Sequence, residues 1–428
     1  MNQTIRARIE QIKRGGIPEG YEKTPFGIFP CDWDKSTLKK LGKFAKGKGI
    51  PGKEMKNEGI PCVGYGDIYM KYNYHFNQAQ SFIDRTTADE SIQVGRNTLL
   101  FTGTGETAEE IGKCVCYTGS DDIYVGGDII IFSSVDVSPV FIAYQQYLPF
   151  AIKQKAGFGQ GHSVVHIYKS DLEKLYCAYP KSKAEQEKIA EILQEQDRLI
   201  ELKEKLIEEK KKQKQYLMEV LLTGKVRLPG FTDEWVVIPL GQVSDMSSGG
   251  TPLTSKQEYF GNDHIWVSIA DMSSSGKYIF DSKIKLSNLG LNNCSARLFK
   301  KGTVLFAMYA SIGECVIAGE ECCTSQAILG IVPNTEKLNN EFLYYSLIQK
   351  KTSIIAMQQA SSQPNLNKGL VQSIQIELPP RLEQIAIVNV LSKADDELDL
   401  LQKELEEQKR KKQFLMQLLL TGIVRVKA

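Results

Sequence analysis

The sequence predicts an α+β chain in which two mixed α/β domains alternate with two long helices, as a near-twofold repeat. Three observations predict it. The segment Glu185–Arg227 recurs as Glu383–Arg425 without a gap, because Glu185-Gln186 answers to Glu383-Gln384 and Leu221-Leu222-Thr223-Gly224 answers to Leu419-Leu420-Thr421-Gly422 (383 − 185 = 198; 419 − 221 = 198). Each copy is rich in helix formers and free of Pro or Gly until Gly224 or Gly422 stops it. Between the copies the texture turns to short β-rich runs separated by Gly, Asn and Asp. Self-similarity on this scale organises every local reading.

Apolar residues repeat at sevens along both helices. The first copy gives Leu193, Ile200, Ile207, Lys214 and Leu221, and the second gives Leu391, Leu398, Leu405, Lys412 and Leu419. Such a stripe is a seam for another helix, and both copies break it at a lysine. Ile192, Leu199 and Leu206 are expected to widen the first seam. About 40 helical residues span roughly 60 Å. Two rods sharing one register most simply pack on each other.

At 428 residues the chain exceeds one ordinary core, and 42% hydrophobic with 24% charged residues is the composition of a folded globular protein. No apolar run approaches a membrane span, and the N-terminus lacks the apolar centre of a secretory signal. Nine scattered cysteines suit a reducing cytoplasm, and with only four histidines no metal site is expected. A net charge of +2 neither demands nor excludes nucleic acid; a binder that shares its contacts with partner subunits need not be basic.

In order, residues 1–180 read as a short N-terminal helix, a Pro-broken lead-in ending at Trp33, and a mixed domain with strands near 59–63, 98–101, 113–117, 129–132 and 164–167. A helical run at 139–153 interrupts them. Residues 181–225 are the first rod. Residues 226–378 repeat the plan, with a lead-in ending at Trp235, a helical run at 340–356, and Lys368 where Lys169 stands. Residues 379–428 are the second rod. The rods match closely and the domains only distantly. That contrast implies one partner class docked twice and two readings of one class of ligand.

The chemistry-like motifs carry little. Phe101-Thr-Gly-Thr-Gly105 spells a cofactor-loop pattern, but a β-like run follows and no Asn-Pro-Pro-aromatic or Asp-Pro-Pro-aromatic tetrapeptide exists, so it reads as a turn between strands. Gly157-Phe-Gly-Gln-Gly161 follows a helix and leads into a strand, the wrong context for phosphate on a helix. Phosphate-loop, zincin and nucleophile-elbow patterns are absent, as is the acid cluster of a nuclease. No catalytic, cofactor-binding or metal-binding residue is assigned.

Polar and aromatic loop chemistry remains, and it suits phosphates and base edges. Candidate contacts in the first domain are Lys46, Lys48, Lys53, Lys71, Tyr72, Tyr74, Gln160 and His162. In the second they are Ser247, Ser248, Thr251, Lys256 and Tyr259, with Gln359, Ser361, Ser362, Gln363 and Asn365. The bland alternative is a solvated surface above core tyrosines. The runs Lys210–Lys214 and Lys409–Lys412 follow Glu208-Glu209 and Glu406-Glu407, and read as charged helix faces rather than a DNA grip.

With these residues in view, the chain resembles the specificity subunit of a type I restriction–modification enzyme. The resemblance rests on Leu221–Phe231 (LLTGKVRLPGF) with Glu234-Trp235, the echo Leu419–Arg425, Gln363–Gly369 (QPNLNKG) and Leu378–Gln384 (LPPRLEQ), and it covers essentially the whole chain. It implies two target recognition domains separated by helices packed as an antiparallel coiled coil. Each domain would read half of an interrupted double-stranded DNA site, and the helices would set the gap. It also implies two modification subunits that bring S-adenosylmethionine, restriction subunits that translocate and cut, no cofactor in this chain and no membrane. The first half carries Gly159–Ser163 (GQGHS) where the second carries Ser361–Asn365 (SSQPN), a departure from equivalence. Rival readings are a self-contained adenine methyltransferase built on residues 101–105 and a coiled-coil adaptor without DNA binding.

Overall fold

A computed structural model describes residues 3–161, 163–360 and 366–427. The chain divides into two compact units, Met1–Lys203 with Glu404–Ala428, and Glu204–Lys403. The long helices are Lys183–Leu221 and Arg381–Leu419, so each contributes half its length to each unit. Among the described residues no helix is long and apolar enough to cross a membrane.

The first unit is built on a five-stranded sheet, in the order Gly42–Lys46, Ile129–Ser134, Thr98–Thr102, Cys114–Tyr117 and His75–Phe76. A four-stranded sheet orders Ser81–Ile83, Ile60–Val63, Ile123–Val125 and Ile92–Val94. The second unit repeats the five-stranded order with Ser244–Ser248, Ile328–Pro333, Val304–Ala307, Cys315–Ala318 and Tyr278–Ile279. In both, the last strand is parallel to its neighbour and the others are antiparallel. Central strands are buried on both faces, and their Val, Ile, Leu and Phe runs follow from that. The expected helical run at 139–153 is two helices, Pro139–Gln145 and Pro149–Phe158, because Pro149 cannot continue the first. The run at 340–356 is likewise divided, into Asn340–Gln349 and Lys351–Ala360.

Within each unit the two long helices run antiparallel. In the first, Gln196 bonds to Gln408 at 3.1 Å and Lys203 pairs with Glu404 at 2.6 Å. In the second, Lys210 pairs with Glu397 at 2.7 Å. Leu193, Ile207, Leu221, Leu391, Leu398 and Leu419 are buried, and Ile200 and Leu405 are half-buried. Full burial of one such side chain contributes about 2 kcal/mol. Ile192 is partly buried against the first unit's core, as expected, but Leu199 and Leu206 are exposed, which corrects the wider seam at those two positions. Each lies one residue before a seam position, and a turn of about 100° per residue carries it off the contact face.

The shared lysine break has a partner. Lys412 is buried against Asp197, and Lys214 pairs with Asp395. Asp197 also accepts from Tyr144 Oη at 2.6 Å, and Asp395 from Tyr345 Oη at 2.5 Å. Burial pulls the Lys412 ammonium below the ordinary lysine range, and Asp197 opposes the shift. Lys211 and Lys212 pair with Glu208 and Glu209, so the lysine run is taken up by helix-face ion pairs.

The repeated motif residues form a second matched set. Arg425 makes a bidentate pair with buried Glu185 at 2.6 and 2.8 Å and lies over the Trp33 ring. Arg227 does the same with buried Glu383 at 2.7 and 2.8 Å, over Trp235. The neighbouring glutamines tie the helix starts to the sheet layer. Gln186 accepts from Ser138 N and Gln384 from Asn339 N, both at 2.8 Å. Gly224 and Gly422 take φ of 69° and 71°, and each packs against the tryptophan, where a Cβ at Gly422 would meet Pro30 at 2.5 Å. Thus the strongest sequence echo is explained inside the chain, as a latch between helix end, helix start and lead-in. Removing the buried carboxylate breaks a bidentate, charge-assisted pair while leaving a part-exposed arginine that water can still reach. Glu185→Ala is expected to lower the urea midpoint accordingly, and Glu383→Ala comparably; an unmoved midpoint in both would show the latch to be dispensable.

Candidate nucleic-acid interface

The first domain's candidate lysines separate on folding. Lys46 is exposed on an edge strand, Lys48 follows it in an exposed turn, and Lys53 is exposed on the short 3-10 turn Gly52–Glu54. Lys71 instead bonds to buried Asp67 at 2.8 Å and to Ser81 at 2.6 Å. Tyr72 is interior: its ring stacks on Phe76 at 4.0 Å and its hydroxyl accepts from Gln80 N, so burial pushes its phenol up to about 12. Tyr74 is half-buried beside Tyr144 and Tyr147, with the Lys412 ammonium 3.4 Å from its ring centre. A cation–aromatic contact of that kind accounts for the pairing without any ligand. Burial raises the Tyr74 phenol also to about 12.

Of the second domain's candidates, Ser248, Thr251 and Lys256 are exposed, Ser247 is half-buried, and Gln359 is exposed near the end of its helix. Lys256 Nζ bonds to Tyr259 Oη at 3.2 Å, and that bond raises the ammonium. The Tyr259 side chain is itself buried. His162, Ser361, Ser362, Gln363 and Asn365 lie outside the described residues.

A cleft of about 520 Å³ opens in the first unit. Its walls come from four places distant in sequence: Lys46, Thr104, Asp128, and the turn that carries His166, Tyr168 and Lys169. The short strand Thr104–Gly105 pairs with Val165–His166, and Gln160 bonds to His166 through both backbone groups. Residues 101–105 are the end of one strand, a bend at Gly103 and the start of a short second strand, in keeping with the turn between strands expected from sequence. Gly105 makes room for Tyr69, whose Oη would lie 2.8 Å from a Cβ there and would have to shift. Thr104 Oγ1 lies 3.2 Å from His166 Nδ1, which holds the ring and leaves Nε2 as its other polar atom. Tyr168 is 53% exposed, enough to offer a ring face.

Matched backbone bonds locate the same place in the second unit. Gly103 N bonds to Asp128 O, and Met308 N to Ala327 O. Lys46 pairs in register with Ile130, and Ser248 with Leu329. Leu38 N bonds to Leu175 O, and Leu240 N to Ile374 O, which equates Lys169 with Lys368 (374 − 175 = 199; 368 − 169 = 199). The equivalents of Thr104, Asp128 and Tyr168 are then Tyr309, Ala327 and Asn367. Sequence reading singled out Lys46 and noted the Lys169–Lys368 match, but missed Asp128, His166 and Tyr168. The only signal was their position next to strand ends.

The sequence model of the type I restriction modification DNA specificity domain matches residues 30–211 and 232–410. A relative in Methanocaldococcus jannaschii is 27% identical over 96% of this chain and 97% of its own. A second from that organism, the type I restriction enzyme MjaVIII specificity subunit, is 26% identical over 93% of this chain and 94% of its own. Among solved structures, the S subunit of a type I restriction-modification system from M. genitalium has a TM-score of 0.57 at 17% identity, covering 90% of this chain and 96% of that one. A chain from a study of complex assembly in the type I R-M system has a TM-score of 0.60 at 17% identity, covering 92% and 99%. With two matches that together take in most of its length, this chain belongs to the type I restriction modification DNA specificity family.

Proposed function

We propose that the chain is the sequence-reading subunit of a type I restriction–modification complex. One observation carries this reading: the family's DNA specificity domain occurs twice, on helices that match closely, with domain surfaces that differ. Each unit reads one half of an interrupted duplex site, and the paired helices fix the gap. Two modification subunits dock on the helices and bring S-adenosylmethionine to adenine, and restriction subunits join to translocate and cut. The chain itself positions DNA and partners and does no chemistry; the absence of a motif-borne nucleophile or general base in the sequence supports that.

The exposed side chains of the helices fit a docking role. Tyr216 and Phe414 occupy equivalent positions (414 − 216 = 198) and are 60% and 46% exposed. Leu202 and Leu400 are a second equivalent exposed pair. Equal surfaces at equal positions suit two copies of one partner.

Methylation mapping of cells with and without the chain is expected to lose one interrupted, adenine-methylated motif. Deleting residues 201–207 together with 399–405 removes one heptad from both helices, about 10 Å of rise. The gap is expected to shorten by about three base pairs with both half-sites unchanged. Altered half-site bases with an unaltered gap would refute the ruler.

A further inference from the structure

We propose that the strand-end cleft at Lys46, Thr104, Asp128, His166, Tyr168 and Lys169, with its counterpart in the second unit, is the surface on which each unit reads DNA. Lys169 and Lys368 would hold backbone phosphate, and the residues that differ around them would read base edges. This assignment rests on the reading of the chain as a duplex-recognition subunit.

The two places keep one lysine and change the side chains around it. A phosphate is the same at every base pair, so a phosphate contact carries no sequence information and has no reason to differ between units. Lysine acts as a point charge on a flexible stem and suits such a contact. Lys169 and Lys368 are both exposed, at positions made equivalent by matched backbone bonds. Lys169 lies 4.0 Å from Glu173, a long ion-pair distance, and Glu173 is also approached by Lys39 at 3.5 Å.

At four positions around that constant lysine the chemistry changes. Lys46 becomes Ser248, Thr104 becomes Tyr309, Asp128 becomes Ala327 and Tyr168 becomes Asn367. Major-groove edges differ in donors, acceptors and the thymine methyl, so two half-sites of different sequence require different side chains. Lys46 suits guanine O6 and N7, Asp128 a cytosine amino group, and His166 either an acceptor or a donor. The Thr104 contact fixes the His166 ring before any ligand arrives, which lowers the ordering cost of binding. The cleft's residues sit on strand ends and on the turn beside them, so a rigid sheet holds them in place.

The test uses the full chain with its modification subunit in cells, read by methylation mapping, and the same complex on duplex DNA across a salt series. Lys169→Ala and Lys368→Ala are expected to leave the motif unchanged, lower the methylated fraction, and reduce the salt slope by about one each. Lys169→Arg is expected to keep the slope. Lys46→Ala and His166→Ala are expected to relax discrimination by about tenfold at one or two bases of a single half-site. Ser248→Lys is expected to alter the other half alone. The unaltered half-site reports in each case that the chain is folded and assembled. A wild-type interrupted motif that survives Lys46→Ala, His166→Ala and Ser248→Lys in both halves would overturn the assignment, as would a change of base preference in Lys169→Ala. A wild-type chain that yields no interrupted motif overturns the functional reading, and the inference with it.

Discussion

A lysine stands in the apolar seam of each long helix, opposite an aspartate of the other helix, and the remaining architecture depends on that pairing. Leucine zippers slide and reverse cheaply because one apolar layer resembles the next. A charged group in the seam is tolerated only where its counter-ion is, so it specifies direction and register at a cost in stability. Lys412 with Asp197 and Lys214 with Asp395 do this at positions that differ by the repeat length. Tyr144 and Tyr345 donate to the same aspartates from the domains, so the pair also fixes how each domain meets its helices. The arginine–glutamate–tryptophan latches then close the helix ends.

This arrangement separates what must stay constant from what must vary. Helix ends, latches and seam lysines are duplicated nearly residue for residue. The strand-end surfaces share a backbone path and one lysine, and little else. A scaffold whose register is set by buried charge can carry new reading surfaces without renegotiating its own assembly. The two latches are not identical: Trp235 Nε1 donates to Glu383 at 2.9 Å, while in the first unit Asp32 adds a second carboxylate to Arg425 at 2.8 Å. The variation stays at the rim of a common bidentate core.

The long helices were legible because their signal is periodic and local, and the repeat confirmed each with the other. Hydrophobicity alone makes the seam too wide at Leu199 and Leu206, since it does not say how narrow a two-helix contact is. The lysine break was visible, but its aspartate was not, because Asp197 lies on the other helix, 215 residues from Lys412 (412 − 197 = 215). Candidate contacts were least legible. Tyr72 and Tyr259 have the composition of a binding loop and the burial of a core, and sequence cannot distinguish a ring that faces solvent from one stacked on Phe76. His166 and Tyr168 offer only their position next to a strand end, because the cleft they line is assembled from strand ends far apart in the chain.

The antiparallel register is the claim on which the whole account turns, and charge reversal across the seam tests it most directly. Asp197→Lys and Lys412→Asp, made singly, place like charges together in a partly buried site, and each is expected to lower the denaturation midpoint. Made together they restore an opposite-charge pair, and the double variant is expected to recover at least about 1 kcal/mol over the sum of the singles. A double variant no more stable than that sum would mean that the two residues do not meet, and would contradict the register.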